Sequence, residues 1–404
     1  MPANFDTEID RSNTGSYKWE YVQSDEDANE IVRTRMFFGE ERALPLWVAD
    51  MDFQCPQPVI DALVARAQHG IFGYTRLSDE YYAAVVDWMQ KRHGWRIQPE
   101  WILSTPGIVP ALNTLVRAFT TPGQKVLIQP PVYYPISNAI KNNGAQVIEN
   151  PLVYADGRYQ MDFADLEAKA SDPQVVMAVL CSPHNPVSRV WSAEELRRFA
   201  EICQRHNVLV IADEIHGDLI FSWSKFAPFG MLGEGLGDRA IICTAASKTF
   251  NLAGLHQSNI IVADEALRAR FQEAINATGV GTVNVFGAAA TEAAYRHGEE
   301  WLTQVLQYVE ANYLTLEKFL AERLPQIKVI RPEGTYLVWL DCRALELDNL
   351  ELKRLMVQEA KVYLDEGFIF GAGGDGFERI NLACPRAILV EALERIEQAI
   401  RARG

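Results

Sequence analysis

The chain has 404 residues, longer than a single core usually grows, so one large domain with a smaller companion is expected. Its 48% hydrophobic and 23% charged residues are those of a globular enzyme rather than a disordered or fibrous protein. The formal charge of -15 argues against a nucleic-acid or anionic-membrane partner, because phosphate binding draws on a local excess of Lys and Arg.

Cys55, Cys181, Cys203, Cys243, Cys342 and Cys384 are scattered, with no C-x-x-C pair, and read as reduced thiols of a cytoplasmic protein. Residues 1–6 lack the basic and apolar blocks of a signal peptide, and no apolar run approaches bilayer length.

The first fifty or so residues read as polar and irregular up to LPLWVADMDF, which begins at Leu44. Trp47 and Phe53 suit core anchors, but Asp50 and Asp52 need hydrogen-bond partners in an apolar segment, which points to the edge of a site. Pro56 and Pro58 open an amphipathic helix with Val59, Ile60, Leu63 and Val64 on one face, ending near Gly70. A two-glycine loop then presents Phe72 and Tyr74, and a second helix covers 79–93. The run 101–104 leads through Thr105-Pro106-Gly107-Ile108-Val109-Pro110 into a helix expected over 111–119. A glycine turn opening a helix lets the backbone approach an anion at the positive end of the helix dipole. It is not a G-x-G-x-x-G fingerprint.

Short apolar runs at 125–129, 146–150, 175–181, 208–212, 240–244 and 259–263 come next, separated by helical segments such as 193–205, which Ser192 and Glu195 open as a capping box. Strands buried on both faces with helical crossovers imply a mostly parallel α/β sheet, whose ligand sits beyond the carboxyl ends of the strands. Tyr133 and Tyr134, Asn185, Asp213 with His216, and Ser247-Lys248 fall after the first, third, fourth and fifth of these runs. Singly each suits a turn, a cap or packing; together they bring an aromatic face, an amide, a carboxylate and an amine to one crevice. Lys248 is expected where the buried strand gives way to a loop. An amine there loses water, which lowers its pKa and favours Schiff-base chemistry; the alternative is a lysine that ends the strand and reaches solvent.

Past residue 270 the chain turns helical, with a long helix near 298–323, and the runs at 329–330, 334–340 and 379–382 with a final helix at 387–401 imply a small α+β domain. Arg379 could clamp a carboxylate or be a solvated strand-end charge. The seven histidines lack zinc spacing, so no metal site is expected. The expected division is 1–53, a segment contributing to the small domain; 54–295, the large domain; and 296–404, the small C-terminal domain.

With these residues in place the chain resembles the fold-type I pyridoxal-phosphate enzymes of the aspartate aminotransferase superfamily. Within them it is similar to the MalY/PatB group of cystathionine β-lyases, which are carbon–sulfur lyases. The resemblance rests on Lys18-Trp19-Glu20, LPLWVADMDF, GIFGY, STPGIVPAL, PPVYYP, CSPHNPVSRVW, ADEIHGDL, SKTFNLAGL, PEGTYLVWLD and RINLACPR, in that order along nearly the whole chain.

The resemblance implies that Lys248 carries pyridoxal 5'-phosphate and removes the substrate Cα proton, and that Asp213 pairs with the pyridine nitrogen. Asn185 would donate to the ring oxygen and Tyr133 would stack on the ring, while Gly107, Ile108, Val109 and Ser247 cradle the phosphate. Tyr74 would reach the phosphate of a neighbouring subunit, implying a homodimer with shared sites. Arg379 would hold the substrate carboxylate, with Trp47 and Tyr134 near the substrate.

Four positions depart from the superfamily pattern. His256 stands where an arginine often binds phosphate. His216, counted here with the cofactor contacts, replaces a tyrosine. Ser188 replaces a turn glycine, and Ala245 a hydroxyl. The expected reaction is β-elimination from cystathionine or another S-substituted L-cysteine. A class I/II aminotransferase uses the same residues, and a non-catalytic aminotransferase-like regulator is disfavoured by the intact Lys248 and Asp213 and the acidic charge.

Overall fold

In the computed structural model, which describes residues 4–23, 31–32, 37–38, 41–233, 235–281 and 283–403, the apolar runs pair into one seven-stranded sheet. Its strands are β1 (Ile102–Thr105), β2 (Lys125–Ile128), β3 (Gln146–Glu149), β4 (Val175–Cys181), β5 (Leu209–Asp213), β6 (Ile241–Thr244) and β7 (Ser258–Val262). The spatial order is β1-β7-β6-β5-β4-β2-β3, and only β7 runs antiparallel to its neighbours. The parallel strands therefore deliver Asp213, Thr244 and Cys181 to one end of the sheet, with Cys181 opposite Asp213 and Asp213 opposite Cys243 in register.

The first two helices, α1 (Gln57–His69) and α2 (Asp79–His93), both stop at a left-handed glycine, Gly70 and Gly94. The apolar face expected for α1 is only partly covered: Val59 is buried, whereas Val64 is 47% exposed. Helix α3 spans Ile108–Phe119, three residues earlier than expected, because Gly107 at φ 124° serves as its N-cap. No residue with a β-carbon holds that backbone cheaply. Helices α3, α4 (Tyr134–Asn142) and α5 (Glu265–Ala277) lay Leu112, Leu115, Ile136, Ile140 and Phe271 against Val126, Val179, Ile211 and Ile260 of the sheet. The capping box of Ser192 and Glu195 opens Ala193–Arg205.

Two compact units divide the chain: Cys55–Thr303 with Glu333–Thr335, which holds the seven-stranded sheet, and Met1–Gln54 with Gln304–Pro332 and Tyr336–Gly404. The second contains an antiparallel sheet of β8 (Lys328–Val329), β9 (Leu337–Asp341), β10 (Asp365–Glu366) and β11 (Phe377–Asn381), in the order β8-β9-β11-β10.

The irregular N-terminal stretch falls partly outside the described residues. Within them, Tyr17–Glu20 is a helical turn capped by Ser16. Asp50 and Asp52, expected at a site edge and in need of partners, find them within their own unit. Lys18, fully buried, reaches Asp52 at 2.6 Å, and Arg11 bonds both carboxylates at 2.7 Å. Trp19 donates its indole N–H to Asp52 as well.

One pair of carboxyls in the small sheet shares a single nearby lysine. Glu366 and Glu378 face each other across β10 and β11, both buried, with Lys353 Nζ 3.2 Å from Glu366. Burial, and then the charge of Glu366, hold the Glu378 carboxyl well above the ordinary range, against the pull of Lys353. The folded protein thus keeps a proton that the unfolded chain releases, so ionising Glu378 weakens the fold as pH rises past the ordinary carboxyl value. Glu378→Gln is therefore expected to raise the melting temperature at pH 8. The gain should vanish below pH 4; a thermal scan showing no gain at pH 8, or the same gain at pH 4, contradicts it.

Candidate active site

Lys248 does not sit in a loop. Strand β6 ends at Thr244, and Ala246–Thr249 forms a single helical turn, α-helical but too short to show periodicity in the sequence. Its N-cap, Ala245, offers no side-chain hydrogen bond; the turn is closed by the Phe250 N–H on the Ala246 carbonyl at 2.9 Å. Ser247 and Lys248 are half-buried.

On the neighbouring strand Asp213 is 4% exposed, and its carboxyl accepts from the Ile215 N–H at 3.3 Å. Burial pushes it up to about 6, offset in part by that bond and by the charge of Lys248. Glu214, also buried, is pushed up to about 8 by burial despite the Phe229 N–H it accepts at 2.6 Å. His216 is buried in the turn after the strand, where its carbonyl accepts from Leu219 N–H.

Asn185 and Tyr133 are brought together by two loops. The Tyr133 N–H donates to the Asn185 carbonyl at 3.1 Å, and His184 Nε2 meets the Pro131 carbonyl at 3.0 Å. Burial drives His184 down to about 4, so its ring is neutral and Nε2–H is the donor. Ser188 does adopt a left-handed φ, 57°, a conformation that costs a non-glycine residue about 1–2 kcal/mol. The neighbouring Arg189 offsets this: it is 2% exposed, bonds Glu333 at 2.9 Å and Glu195 at 3.1 Å, donates to the Tyr159 carbonyl and stacks on Trp191. Tyr133 is half-buried and Tyr134 37% exposed, their rings 5.7 Å apart.

Thr105 and Gly107 form the turn before α3. The Thr105 hydroxyl is shared between the Gly107 carbonyl at 3.1 Å and Ser258 Oγ at 2.7 Å. Ile108 and Val109 make up the first helical turn, so their N–H groups have no partner within the helix. His256, exposed and left-handed at φ 50°, lines a cavity of about 1090 Å³ with Thr105, Pro106 and Gln257, and Arg76 and Arg117 also face it. Tyr74 is 99% exposed.

Arg379 and Trp47 belong to the other unit. Arg379 is not a solvated charge: it is 3% exposed, its Nη2 donates to Asp365 and to the Trp47 carbonyl at 2.9 Å, and its guanidinium lies 4.9 Å from the Phe370 ring centre. Trp47 packs against Tyr363 and donates its indole N–H to the Lys18 carbonyl at 3.0 Å. Asn381 fixes the same segment by donating to the Val48 and Asp50 carbonyls, each at 2.7 Å.

Several partners here carry no sequence signal of their own. Asp365 behind Arg379 and Glu333 behind Arg189 stand 14 and 144 residues away along the chain. Asp218 lies inside ADEIHGDL, a motif that is visible in the sequence without revealing what its last carboxylate binds. Among the described residues no group of three His, Cys, Asp or Glu side chains could hold a metal ion, and no helix is long and apolar enough to cross a membrane.

The family model for class I and II aminotransferases matches residues 43–396. Cystathionine beta-lyase PatB of Bacillus subtilis is 44% identical over 98% of this chain and 100% of its own, and the MalY protein of Escherichia coli 32% over 99% of each. The crystal structure of cystalysin from Treponema denticola, which contains a pyridoxal 5'-phosphate cofactor, superposes with a TM-score of 0.93 at 40% identity and full coverage of both chains. With an α/β sheet of this topology and a lysine and a carboxylate at adjacent strand ends, the chain belongs to the class I and II aminotransferase family.

Proposed function

We propose that this protein is a pyridoxal-phosphate-dependent carbon–sulfur β-lyase. It takes cystathionine or another S-substituted L-cysteine and, with one water consumed, yields a thiol, pyruvate and ammonia. The observation that carries the reading is the 44% identity, end to end, with a protein named cystathionine beta-lyase, in a chain that keeps Lys248 beside a buried Asp213.

The residues fit the cofactor on their own chemistry. Asp213 is a buried carboxyl raised by desolvation, and a protonated ring nitrogen is the partner that offsets that penalty. Gly107 opens a helix whose first N–H groups face no helical acceptor, which suits a phosphate. When bound, the cofactor supplies an electron sink that stabilises negative charge at the substrate Cα.

In this reading Asp213 would pair with the ring nitrogen, Asn185 would donate to the ring oxygen and Tyr133 would stack on the ring. Gly107, Ile108, Val109 and Ser247 would hold the phosphate, and His216 is counted with the cofactor contacts. Lys248 Nζ anchors the cofactor covalently and then moves the Cα proton. Arg379 takes the α-carboxylate, while Trp47 and Tyr134 border the substrate. Once the proton is gone, the Cβ–S bond breaks with its electron pair going to sulfur. A thiolate leaves readily because a thiol has a pKa of about 8.5. The working protein is a cytoplasmic homodimer in which Tyr74 completes the phosphate site of a neighbouring copy. The unit Cys55–Thr303 with Glu333–Thr335 would be the cofactor-binding domain, its boundary some eight residues later than the 54–295 expected from sequence, and the other unit the small domain.

The matched family favours a second reading, transamination, in which the proton returns to the cofactor and nothing leaves. Incubation with L-cystathionine separates them: stoichiometric pyruvate and thiol support the lyase, whereas no pyruvate together with amino-group exchange into a keto acid overturns it.

Arg379→Lys tests the carboxylate clamp without stranding Asp365, since the charge stays while the planar fork is lost. The expected result is a KM raised about 10- to 100-fold, the worth of one charge-assisted bond, with cofactor absorbance retained. An unchanged KM moves the role to another group.

A further inference from the structure

The helical turn that carries Lys248 is one turn long, and Ala245 gives it no side-chain cap. A side-chain tether comes from the residue after the lysine. Thr249 is fully buried and its hydroxyl donates to Asp218 Oδ2 at 2.8 Å. Asp218 is itself held from α2, receiving the Trp88 indole N–H at 3.1 Å and facing His93 Nε2 at 2.8 Å, while Arg92 donates to its carbonyl at 3.1 Å. Burial acts to raise this carboxyl, but the bonds and charges of His93, Thr249 and Arg92 outweigh it and hold it below the ordinary range. Beneath it Trp88 packs on Tyr295 and on Phe250, the residue next after Thr249, with ring centres 5.2 and 5.6 Å apart.

Asp218 also closes the stretch that begins with Asp213. Between them the Gly217 N–H donates to the Glu214 carbonyl and the Leu219 N–H to the His216 carbonyl, both at 2.9 Å, so the intervening residues form a bonded turn rather than a loose loop. Gly217 is closely packed: an added Cβ would lie 3.0 Å from the Phe226 ring and 3.1 Å from the Glu214 carbonyl. One end of this turn thus bears Asp213 and the other grips the Lys248 turn.

We propose that Asp218 is a positioning residue: through its bond to Thr249 it fixes the Lys248 turn against the strand end that bears Asp213, setting the amine's direction relative to that carboxylate. The inference rests on the reading of Lys248 as the cofactor lysine. A charge-assisted hydrogen bond is about twice as strong as a neutral one, and a nucleophile and base displaced by about 1 Å loses on the order of 100-fold in rate. Asp218 acts through Thr249 and touches no reacting atom in this scheme. His93 and Trp88 hold the carboxylate in turn, so the buried charge is hydrogen-bonded and paired.

The test uses the holoenzyme and three substitutions. Thr249→Val keeps the shape and removes the hydroxyl, Thr249→Ser keeps the hydroxyl, and Asp218→Asn keeps an acceptor without the charge. We expect Thr249→Val to lower kcat on the order of 10- to 100-fold with KM within about threefold, as befits a misdirected base. The visible circular dichroism per bound cofactor should fall with it. Thr249→Ser should recover most of both, and Asp218→Asn should lower both, which keeps the test open if the valine variant does not fold. The inference is overturned if folded Thr249→Val retains kcat and the visible signal, if serine rescues neither, or if only the melting temperature moves. Wild-type protein that binds no cofactor covalently would instead overturn the underlying reading of Lys248.

Discussion

Lys248→Ala is expected to lower kcat on the order of 10⁴-fold or more and, in the same protein, to abolish the visible absorbance of covalently held cofactor. Two losses combine. The amine that anchors the cofactor is gone, and so is the base that removes the Cα proton, a term worth about 10²–10⁴ by itself. No other lysine lies between Lys225 and Lys318 in sequence to take over. The fold should survive, because Lys248 is only half-buried and the turn is closed by its backbone and by Thr249. A small primary amine added to the variant should restore part of the proton transfer but none of the covalent absorbance. A variant that keeps both absorbance and turnover removes Lys248 from the chemistry.

The strand-end residues are legible because a parallel sheet converts a sequence pattern into a place. Each buried strand reads as a short apolar run, and the residues just past the run emerge at one end of the sheet. Asp213, Asn185 and Tyr133 are readable in that way. The same property hides direction: 258–262 is as apolar as its neighbours, and nothing in a strand buried on both faces says that it runs antiparallel. The turn at Ala246–Thr249 reads as a loop in sequence because four residues cannot show a 3.6-residue period. Asp50 and Asp52 read as a site edge because their partners, Arg11 and Lys18, stand 34 to 41 residues away in an otherwise unpatterned stretch. Long-range pairing of polar groups decides what a buried carboxylate is for, and a local pattern does not carry it. Arg379 shows the same limit: its strand is legible, while the Asp365 that orients it is not.

Asp213→Asn should separate the two faces of a buried functional carboxylate, costing activity while stabilising the empty protein. In the holoenzyme the amide cannot hold the ring-nitrogen proton as a carboxylate does, so charge developing at Cα is less stabilised. By analogy with removing one preorganised partner of a developing charge, kcat should fall on the order of 10²–10³-fold. In the apoprotein the sign reverses. Asp213 sits at about 6 in the fold against an ordinary value of 3.8, so the folded state holds a proton that the unfolded chain gives up. Stability therefore falls as pH rises from about 4 to about 6 and stays reduced above that. Asparagine has no such penalty, and the apoprotein variant should gain on the order of 1–3 kcal/mol at pH 7 and nothing near pH 3.5. Thermal scans of both apoproteins at the two pH values, set beside holoenzyme turnover, measure the pair of effects. If the variant loses stability at pH 7, Asp213 is already well satisfied without a cationic partner, and its proposed pairing with the ring nitrogen loses its physical basis.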